Sequence, residues 1–151
     1  MQKYYSPVHE SSALSIGVGG TNRVNIHSTW NDGIFYFDFA TISNGGRMTY
    51  TPIGTEPSKY FNQTSILTFV RRISSTNNGI IRINGVEKAR ATLTGNLDIS
   101  NQIFYISTDS FKYQKSDINE IIVIKSGLTD TEIASVEQYL STKWSVPLTG
   151  I

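Results

Sequence analysis

Short runs of alternating apolar and polar residues, separated by clusters of Gly, Asn and Asp, cover most of the chain. Runs of this kind, rich in Ile, Val, Phe, Tyr and Thr, are typical of β-strands. The clusters between them are turn formers, because Gly, Asn and Asp tolerate positive φ or bond their own backbone. The pattern predicts an all-β fold with strands at Ala13–Val18, Arg23–Ser28, Ile34–Ala40, Arg47–Thr51, Ser65–Ile73, Ile80–Ile83, Ile103–Ser107 and Glu120–Lys125.

One segment near the end of the chain has a helical pattern instead. Thr129-Asp130-Thr131-Glu132 has the form of a capping box, in which Thr129 and Glu132 each bond the other's backbone. Behind it, apolar residues recur at spacings of three and four, at Ile133, Val136, Leu140 and Trp144. We expect an amphipathic helix over about residues 129–144 that is stable only when its apolar face is docked.

The two predicted strands on either side of Asn31-Asp32-Gly33 share one apolar face and one polar face. Alternation places Phe35, Phe37 and Phe39 on one face, which must be the core because each ring buries a large area. The opposite face of the two paired strands then carries Arg23, Asn25, His27, Tyr36 and Asp38. If Asp32-Gly33 are the central turn residues, His27 lies opposite Asp38; if Asn31-Asp32 are central, His27 lies opposite Tyr36.

Three stretches of the chain, taken in order, resemble concanavalin A-like and laminin-G-like domains. The stretches are Arg23–His27 with Trp30–Gly33 and Phe35–Phe39, then Ile80–Glu87, then Asp117–Ile124 with Leu128–Glu132 and Val136–Trp144. The resemblance runs from about Ala13 to Pro147. It implies one antiparallel β-sandwich domain over residues 1–151, of the jelly-roll type common in bacteriophage tail and virion proteins, with one C-terminal helix.

One departure from this family bears on partners. Members usually have further strands upstream of the segment that matches Ala13, whereas only about a dozen residues precede it here. An uncovered sheet edge invites pairing with another chain. We therefore expect a homo-oligomer, or another virion subunit that covers the edge.

Composition removes several classes of function. The chain has no cysteine, which excludes disulfide scaffolds, Cys-based zinc sites and thiol catalysis. Lys+Arg 13 against Asp+Glu 12 leave a net charge of +1 and no basic block beyond Arg71-Arg72, which argues against a nucleic-acid partner. No apolar stretch approaches the roughly 20 residues that span a bilayer, so membrane insertion is not expected.

The residues give little support to catalysis. Glycosidases on this fold place several carboxylates on one face of a strand with the spacing Glu-x-Asp-x-Glu, and no such run occurs. Asp38 stands alone in its strand, and Asp130 and Glu132 are explained by the helix cap. Gly17-Val18-Gly19-Gly20 precedes a strand rather than a helix, so a turn explains it better than a phosphate-binding loop.

The polar face of the hairpin is the candidate ligand-binding site. Its members are Arg23, Asn25, His27, Trp30, Tyr36, Asp38 and Arg47. The set is typical of a sugar-binding patch, and Trp30 at the hairpin tip either stacks on a sugar ring or folds back onto the sandwich. The competing interpretation, which we favour, is a solvated cross-strand network that only steadies the hairpin.

No cofactor is expected, apart from a weak case for calcium. Some laminin-G-like members hold calcium at the sandwich rim, and the loop acids Asp32, Asp109 and Asp117 are candidate ligands. The resemblance implies a non-enzymatic virion protein, a tail-appendage or particle-surface module that attaches to cell-surface polysaccharide. A purely structural capsid decoration or assembly protein is the first alternative, and a relic of a glycan hydrolase or lyase is the second.

Overall fold

The computed structural model describes residues 2–4, 12–17, 23–53, 63–74, 76–95, 97, 101–108 and 113–148. Within these residues the chain forms eleven strands and one α-helix. The elements are β1 (Gln2–Tyr4), β2 (Leu14–Ile16), β3 (Arg23–His27), β4 (Phe35–Ala40), β5 (Arg47–Tyr50), β6 (Thr64–Ser65), β7 (Leu67–Arg71), β8 (Gly79–Ile83), β9 (Val86–Ala91), β10 (Phe104–Ile106), β11 (Ser116–Ile118) and α1 (Asp130–Trp144), with a 3-10 turn at Ile42–Asn44.

Two larger antiparallel sheets and one small sheet make up the strands. The first has the order β10-β2-β3-β4-β5 and the second the order β7-β8-β9. The small sheet has the order β11-β1-β6 and is also antiparallel. The mainly β architecture with one C-terminal helix, expected from the sequence, is confirmed.

The two larger sheets meet in an apolar core. Phe37 and Met48 from the first sheet pack with Ile81 from the second and with Leu93, and all four are nearly inaccessible to solvent. The ring centroid of Phe37 lies 5.7 Å from that of Phe69 on β7. Alternation along β4 therefore points its phenyl groups inward, as predicted, and leaves the intervening polar side chains on the opposite face of the sheet.

A two-residue turn joins β8 to β9. Asn84 and Gly85 both have positive φ, 48° and 82°, which is the conformation of the tight hairpin turns that Asn-Gly favours. The Asn84 side chain also accepts a hydrogen bond from the backbone N–H of Ile66 at 2.8 Å. This bond lies where the predicted strand Ser65–Ile73 divides into β6 and β7, which pair with different sheets.

The helix begins and ends as its sequence predicts. Thr129 and Glu132 form the capping box, Lys143 lies in the last turn, and Ser145 caps the end in the left-handed conformation. Leu140 packs with Ile66 and Val146, with Trp144 at the margin of that cluster. The apolar face is therefore docked, which a helix of this length requires.

An ion pair absent from the sequence analysis fixes the helix to the second sheet. Glu137, only 2% exposed, accepts from Arg82 Nε and Nη2 at 2.9 Å and from Thr68 Oγ1 at 2.8 Å. This hydrogen bonding raises the pKa of Arg82 above its ordinary value. A charged residue of the helix is thus buried together with its counter-charge. It lies on the helix face that the apolar periodicity predicts to be packed against the rest of the protein.

The predicted strand Glu120–Lys125 is wrong, because these residues form no strand. The strand in this region lies just before them, as β11, and pairs with β1. The apolar side chains of Ile121–Ile124 are between 37% and 64% exposed. The strands β1, β9 and β11 were not predicted, since none of them has a clear apolar alternation.

Candidate functional site

The polar face of the β3–β4 hairpin lines an open pocket of about 380 Å³. It lies on the side of the first sheet opposite the phenyl core. Six of the seven predicted site residues line it, and the seventh, Asp38, is fully buried and bonded to two of them. The lining residues are Arg23, Asn25, His27, Trp30, Asn31, Asp32, Tyr36 and Arg47.

Strand register decides which polar side chains become neighbours. Asn25 on β3 lies opposite Asp38 on β4, which lies opposite Arg47 on β5. His27 lies opposite Tyr36. Of the two hairpin registers considered from the sequence, the structure therefore has the one whose turn is centred on Asn31-Asp32. Residues that alternate along a strand share a face, and the three strands therefore present a continuous polar surface.

Asp38 is the centre of this surface. Its Oδ2 accepts from Arg23 Nη2 at 2.5 Å, and its two oxygens accept from Arg47 Nε and Nη2 at 2.5 and 2.7 Å. His27 Nε2 lies 3.9 Å from the same carboxylate. The hydrogen bond to Asp38 raises the pKa of Arg47. One buried carboxylate thus holds two guanidinium groups in fixed positions.

The aromatic side chains form the wall of the pocket. The ring of His27 lies edge-on to Trp30, with centroids 4.6 Å apart, and edge-on to Tyr36 at 6.1 Å. The guanidinium of Arg47 lies over the Tyr36 ring, 4.6 Å from its centroid. Trp30 at the hairpin tip therefore packs back against His27 and still lines the pocket.

The rim is fixed by Asp32, which the sequence analysis did not place in the binding patch. Its side chain accepts from the backbone N–H of Ile34 at 2.9 Å and from the Tyr36 hydroxyl at 2.6 Å. That hydroxyl bond is the main reason that the pKa of Tyr36 is raised. The Asn-Asp-Gly turn was the signal that could have found this residue, since Asp commonly bonds the backbone two residues on.

Two buried polar atoms of the pocket have no hydrogen-bond partner in the part of the chain that the structure describes. They are the Nε of Arg23, a donor, and the Oδ1 of Asn25, an acceptor. Asn25 is only 3% exposed. Both atoms have almost no solvent-accessible surface, so neither can contact a molecule in the pocket, and burying such an atom unpaired costs about 1–3 kcal/mol.

The cross-strand network expected on this face is present, but its centre is buried rather than solvated. Asn25, His27 and Asp38 are 3%, 4% and 0% exposed. The arrangement is a buried network below a pocket, because the guanidinium groups lie over Asp38 and Ser12 Oγ lies 3.2 Å from the Nδ1 of His27. The network still ties strands β3, β4 and β5 together.

The calcium candidates do not come together in the described residues. Among these, no three His, Asp or Glu side chains are grouped so that they could hold a metal ion. Asp109 lies outside the described residues, Asp117 lies on β11, and Asp32 bonds the Tyr36 hydroxyl. In the same part of the chain, no helix is long and apolar enough to cross a membrane.

In comparisons with models of known protein families, with curated proteins and with solved structures, the chain has no significant match to any of them. Its function is therefore argued from the geometry of the pocket.

Proposed function

We propose that this chain is a non-enzymatic carbohydrate-binding module of the concanavalin A-like jelly-roll type, carried on a phage-type virion as a tail-appendage or particle-surface protein. In this role it attaches the particle to polysaccharide on a cell surface. The observation that carries the proposal is the pocket on the β3–β4 hairpin, in which the aromatic side chains of Trp30 and Tyr36 stand beside polar and charged side chains. Sugar sites combine these two features, because a sugar has apolar C–H faces and hydroxyl edges.

The bonding of the pocket carboxylates supports binding rather than hydrolysis. Both oxygens of Asp38 accept from guanidinium groups, and Asp32 accepts from the Tyr36 hydroxyl and a backbone N–H. Glycoside hydrolysis needs one carboxylic acid that donates a proton and a second carboxylate that attacks or activates water. Asp38 is fully buried, and the oxygens of both carboxylates are already engaged by donors of the protein, which disfavours the relic of a hydrolase or lyase.

The test is binding of the purified protein to an array of bacterial surface polysaccharides, with and without calcium. We expect specific, saturable binding that does not depend on calcium and is weakened about threefold or more by Trp30→Ala, which removes an aromatic wall. Thr49→Ala is the matched control, since Thr49 is exposed on β5 and does not line the pocket. Binding that Trp30→Ala leaves unchanged contradicts this site.

A structural role is the second candidate, favoured by the exposed run Ile121–Ile124. Contiguous exposed apolar residues of this kind commonly mark contacts between subunits. Antiparallel pairing of Glu120–Lys125 with a second copy of itself, centred between Ile122 and Val123, places Glu120 opposite Lys125. The occupant that we propose under this candidate is therefore a second copy of the chain, in a homo-oligomer.

Light scattering at micromolar concentration tests this second candidate. A dimer that dissociates on Ile122→Lys supports it, while Ile73→Lys, at a residue that is 96% exposed elsewhere, serves as the control. A monomeric wild-type protein contradicts it. Silence on the polysaccharide array together with a dimer favours the assembly role over attachment.

A further inference from the structure

We propose that strand β10 is a self-association surface, at which two copies of the chain pair antiparallel and join their first sheets edge to edge. The pairing is centred on Phe104, which lies opposite Phe104 of the other copy. This interface is separate from the exposed run Ile121–Ile124, and the pairing does not depend on carbohydrate binding.

Strand β10 presents unpaired backbone groups along its outer side. It is an outer strand of the first sheet, and β2 is its neighbour there. The N–H of Gly17 donates to the carbonyl oxygen of Ile103 at 3.3 Å, so Ile103 directs its backbone toward β2. Because this direction alternates along an antiparallel strand, Phe104 and Ile106 direct their backbone groups away from β2. These outward groups have no hydrogen-bond partner in the part of the chain that the structure describes.

The sequence of β10 does nothing to prevent pairing with another chain. Outer strands of monomeric proteins commonly carry a charge or a proline for that purpose. The other outer strands of three or more described residues each contain charge, at Arg47 on β5, Arg71 on β7, Glu87 on β9 and Asp117 on β11. Residues 101–108 contain neither a charge nor a proline. Among these strands, β10 is therefore the one most open to a second strand.

The side chains along the same edge are apolar and accessible. Ile103, Phe104 and Ile106 are 63%, 41% and 51% exposed. Tyr113, which forms a β-bridge with Thr108 at the end of the strand, is 83% exposed. Contiguous exposed apolar residues commonly mark protein interfaces. Pairing along β10 would cover apolar side chains and satisfy backbone groups at the same time.

The pattern of outward groups makes β10 complementary to itself. In an antiparallel sheet, a hydrogen-bonded pair of residues exchanges both N–H···O=C bonds, so each residue must face the other strand. When Phe104 lies opposite Phe104 of the other copy, Ile106 lies opposite Gln102. By the alternation along the strand, all three residues face outward. A second copy related by a twofold axis therefore satisfies the edge, which is the reason that we choose it as the occupant.

The end of the strand excludes the neighbouring register. A pairing centred on Tyr105 would place Gln102 of the other copy opposite Thr108, where Tyr113 already forms its bridge. The proposed register has its last pair at Gln102. The chain then turns at Asn101, whose φ is 61°, and so leaves the edge before it meets that bridge.

The pairing places the two candidate pockets on the same side of the joined sheet. The twofold axis of an antiparallel pair is perpendicular to the sheet, so the same face of each copy points the same way. Strand β3 lies two strands in from β10 in each copy, and the two β3 strands are therefore about 24 Å apart. A polysaccharide with repeated units would reach both pockets of one dimer. This consequence rests on the proposed carbohydrate binding.

Light scattering from micromolar to submillimolar concentration tests the pairing. We expect the wild-type protein to form a dimer. Phe104→Lys places like charges opposite each other at the centre of the interface and should raise the dissociation constant about tenfold or more. Ile73→Lys is the matched control, because Ile73 is 96% exposed and lies outside β10. Ile122→Lys should leave this dimer intact, which separates it from a dimer formed through Ile121–Ile124.

Disulfide cross-linking tests the register without a charged variant. The chain has no cysteine, so Phe104→Cys introduces a single thiol. The Cα atoms of a hydrogen-bonded antiparallel pair lie about 5.5 Å apart, which a disulfide can span. We expect Phe104→Cys to form a covalent dimer under mild oxidation. Tyr105→Cys is the control, because in this register the two introduced thiols belong to residues with Cα atoms about 8 Å apart, which is too far.

Three results overturn the inference. The first is a wild-type protein that stays monomeric over the whole concentration range. The second is a dimer that Ile122→Lys dissociates and Phe104→Lys does not, which assigns self-association to Ile121–Ile124. The third is cross-linking through Tyr105→Cys but not through Phe104→Cys, which refutes the register. Polysaccharide binding by a monomeric protein leaves the proposed attachment intact and removes this inference alone.

Discussion

Replacing Glu137 by Ala tests the contact that fixes the helix to the second sheet. The carboxylate of Glu137 is buried and accepts three hydrogen bonds, two from Arg82 and one from Thr68. Removing it leaves the Arg82 guanidinium, whose side chain is 15% exposed, without its counter-charge. Breaking a buried pair in this way costs about 3–5 kcal/mol.

The expected loss lies near the lower end of that range. Arg82 Nη2 keeps its bond to the carbonyl oxygen of Gly85 at 2.6 Å, and the side chain retains some contact with water. We therefore expect the free energy of unfolding to fall by about 3 kcal/mol. For a chain of this size that corresponds to a melting temperature lower by roughly 6–12 °C.

Urea unfolding followed by circular dichroism measures this loss, and the m-value is expected to stay constant. Gln138→Ala is the matched control on the next residue of the helix, where the exposed amide bonds Thr142; we expect a change of about 0.5 kcal/mol or less. The double variant Glu137→Leu with Arg82→Met removes both charges and should recover most of the stability. A loss below about 1 kcal/mol for Glu137→Ala refutes the reasoning.

Three further predictions concern the site and the ends of the helix. Asp38→Asn leaves two guanidinium groups without a carboxylate and should lower the free energy of unfolding by about 3 kcal/mol, measured by urea unfolding; an unchanged midpoint contradicts a buried network. Thr129→Ala removes the helix cap and should lower the free energy of unfolding by about 1 kcal/mol, again measured by urea unfolding. A loss of several kcal/mol would contradict a role limited to capping. Glu120 accepts from the Trp144 indole at 2.8 Å, which is the main reason that its pKa is lowered. Its contribution to stability is therefore complete above the unfolded carboxyl pKa of about 4.3 and lost as the pH falls through the lower folded value. Trp144 fluorescence in a Trp30→Phe background should follow this acid transition, and Glu120→Gln should abolish it.

Local patterns determined much of the fold. The phenyl alternation on β4 predicts which side faces the core, and Thr129 with Glu132 predicts the start of the helix, while Asn84-Gly85 favours the tight turn that the structure has after β8. Each of these depends on residues within a few positions of one another, because strand periodicity, positive φ and helix caps are properties of short segments.

The membership of the candidate site was also largely determined by the sequence. Arg23, Asn25, His27 and Asp38 were placed on one face by alternation, and the structure brings them together. Their burial was not predictable: the cross-strand network expected from the sequence is present, but it is buried rather than solvated. Whether a polar face is open or covered depends on segments remote in the chain, here the one that holds Ser12.

Strand pairing was decided by the tertiary structure alone. Glu120–Lys125 has as strong a strand pattern as any segment, yet the residues that pair with β1 are those just before it, in β11. From the sequence alone, Glu137 is an ordinary polar position of the helix. Only the fold brings Arg82, 55 residues away in sequence, against it. Which strands pair, and which residue neutralises a buried charge, depend on segments that are far apart in the sequence. Neither is therefore decided until the chain has folded.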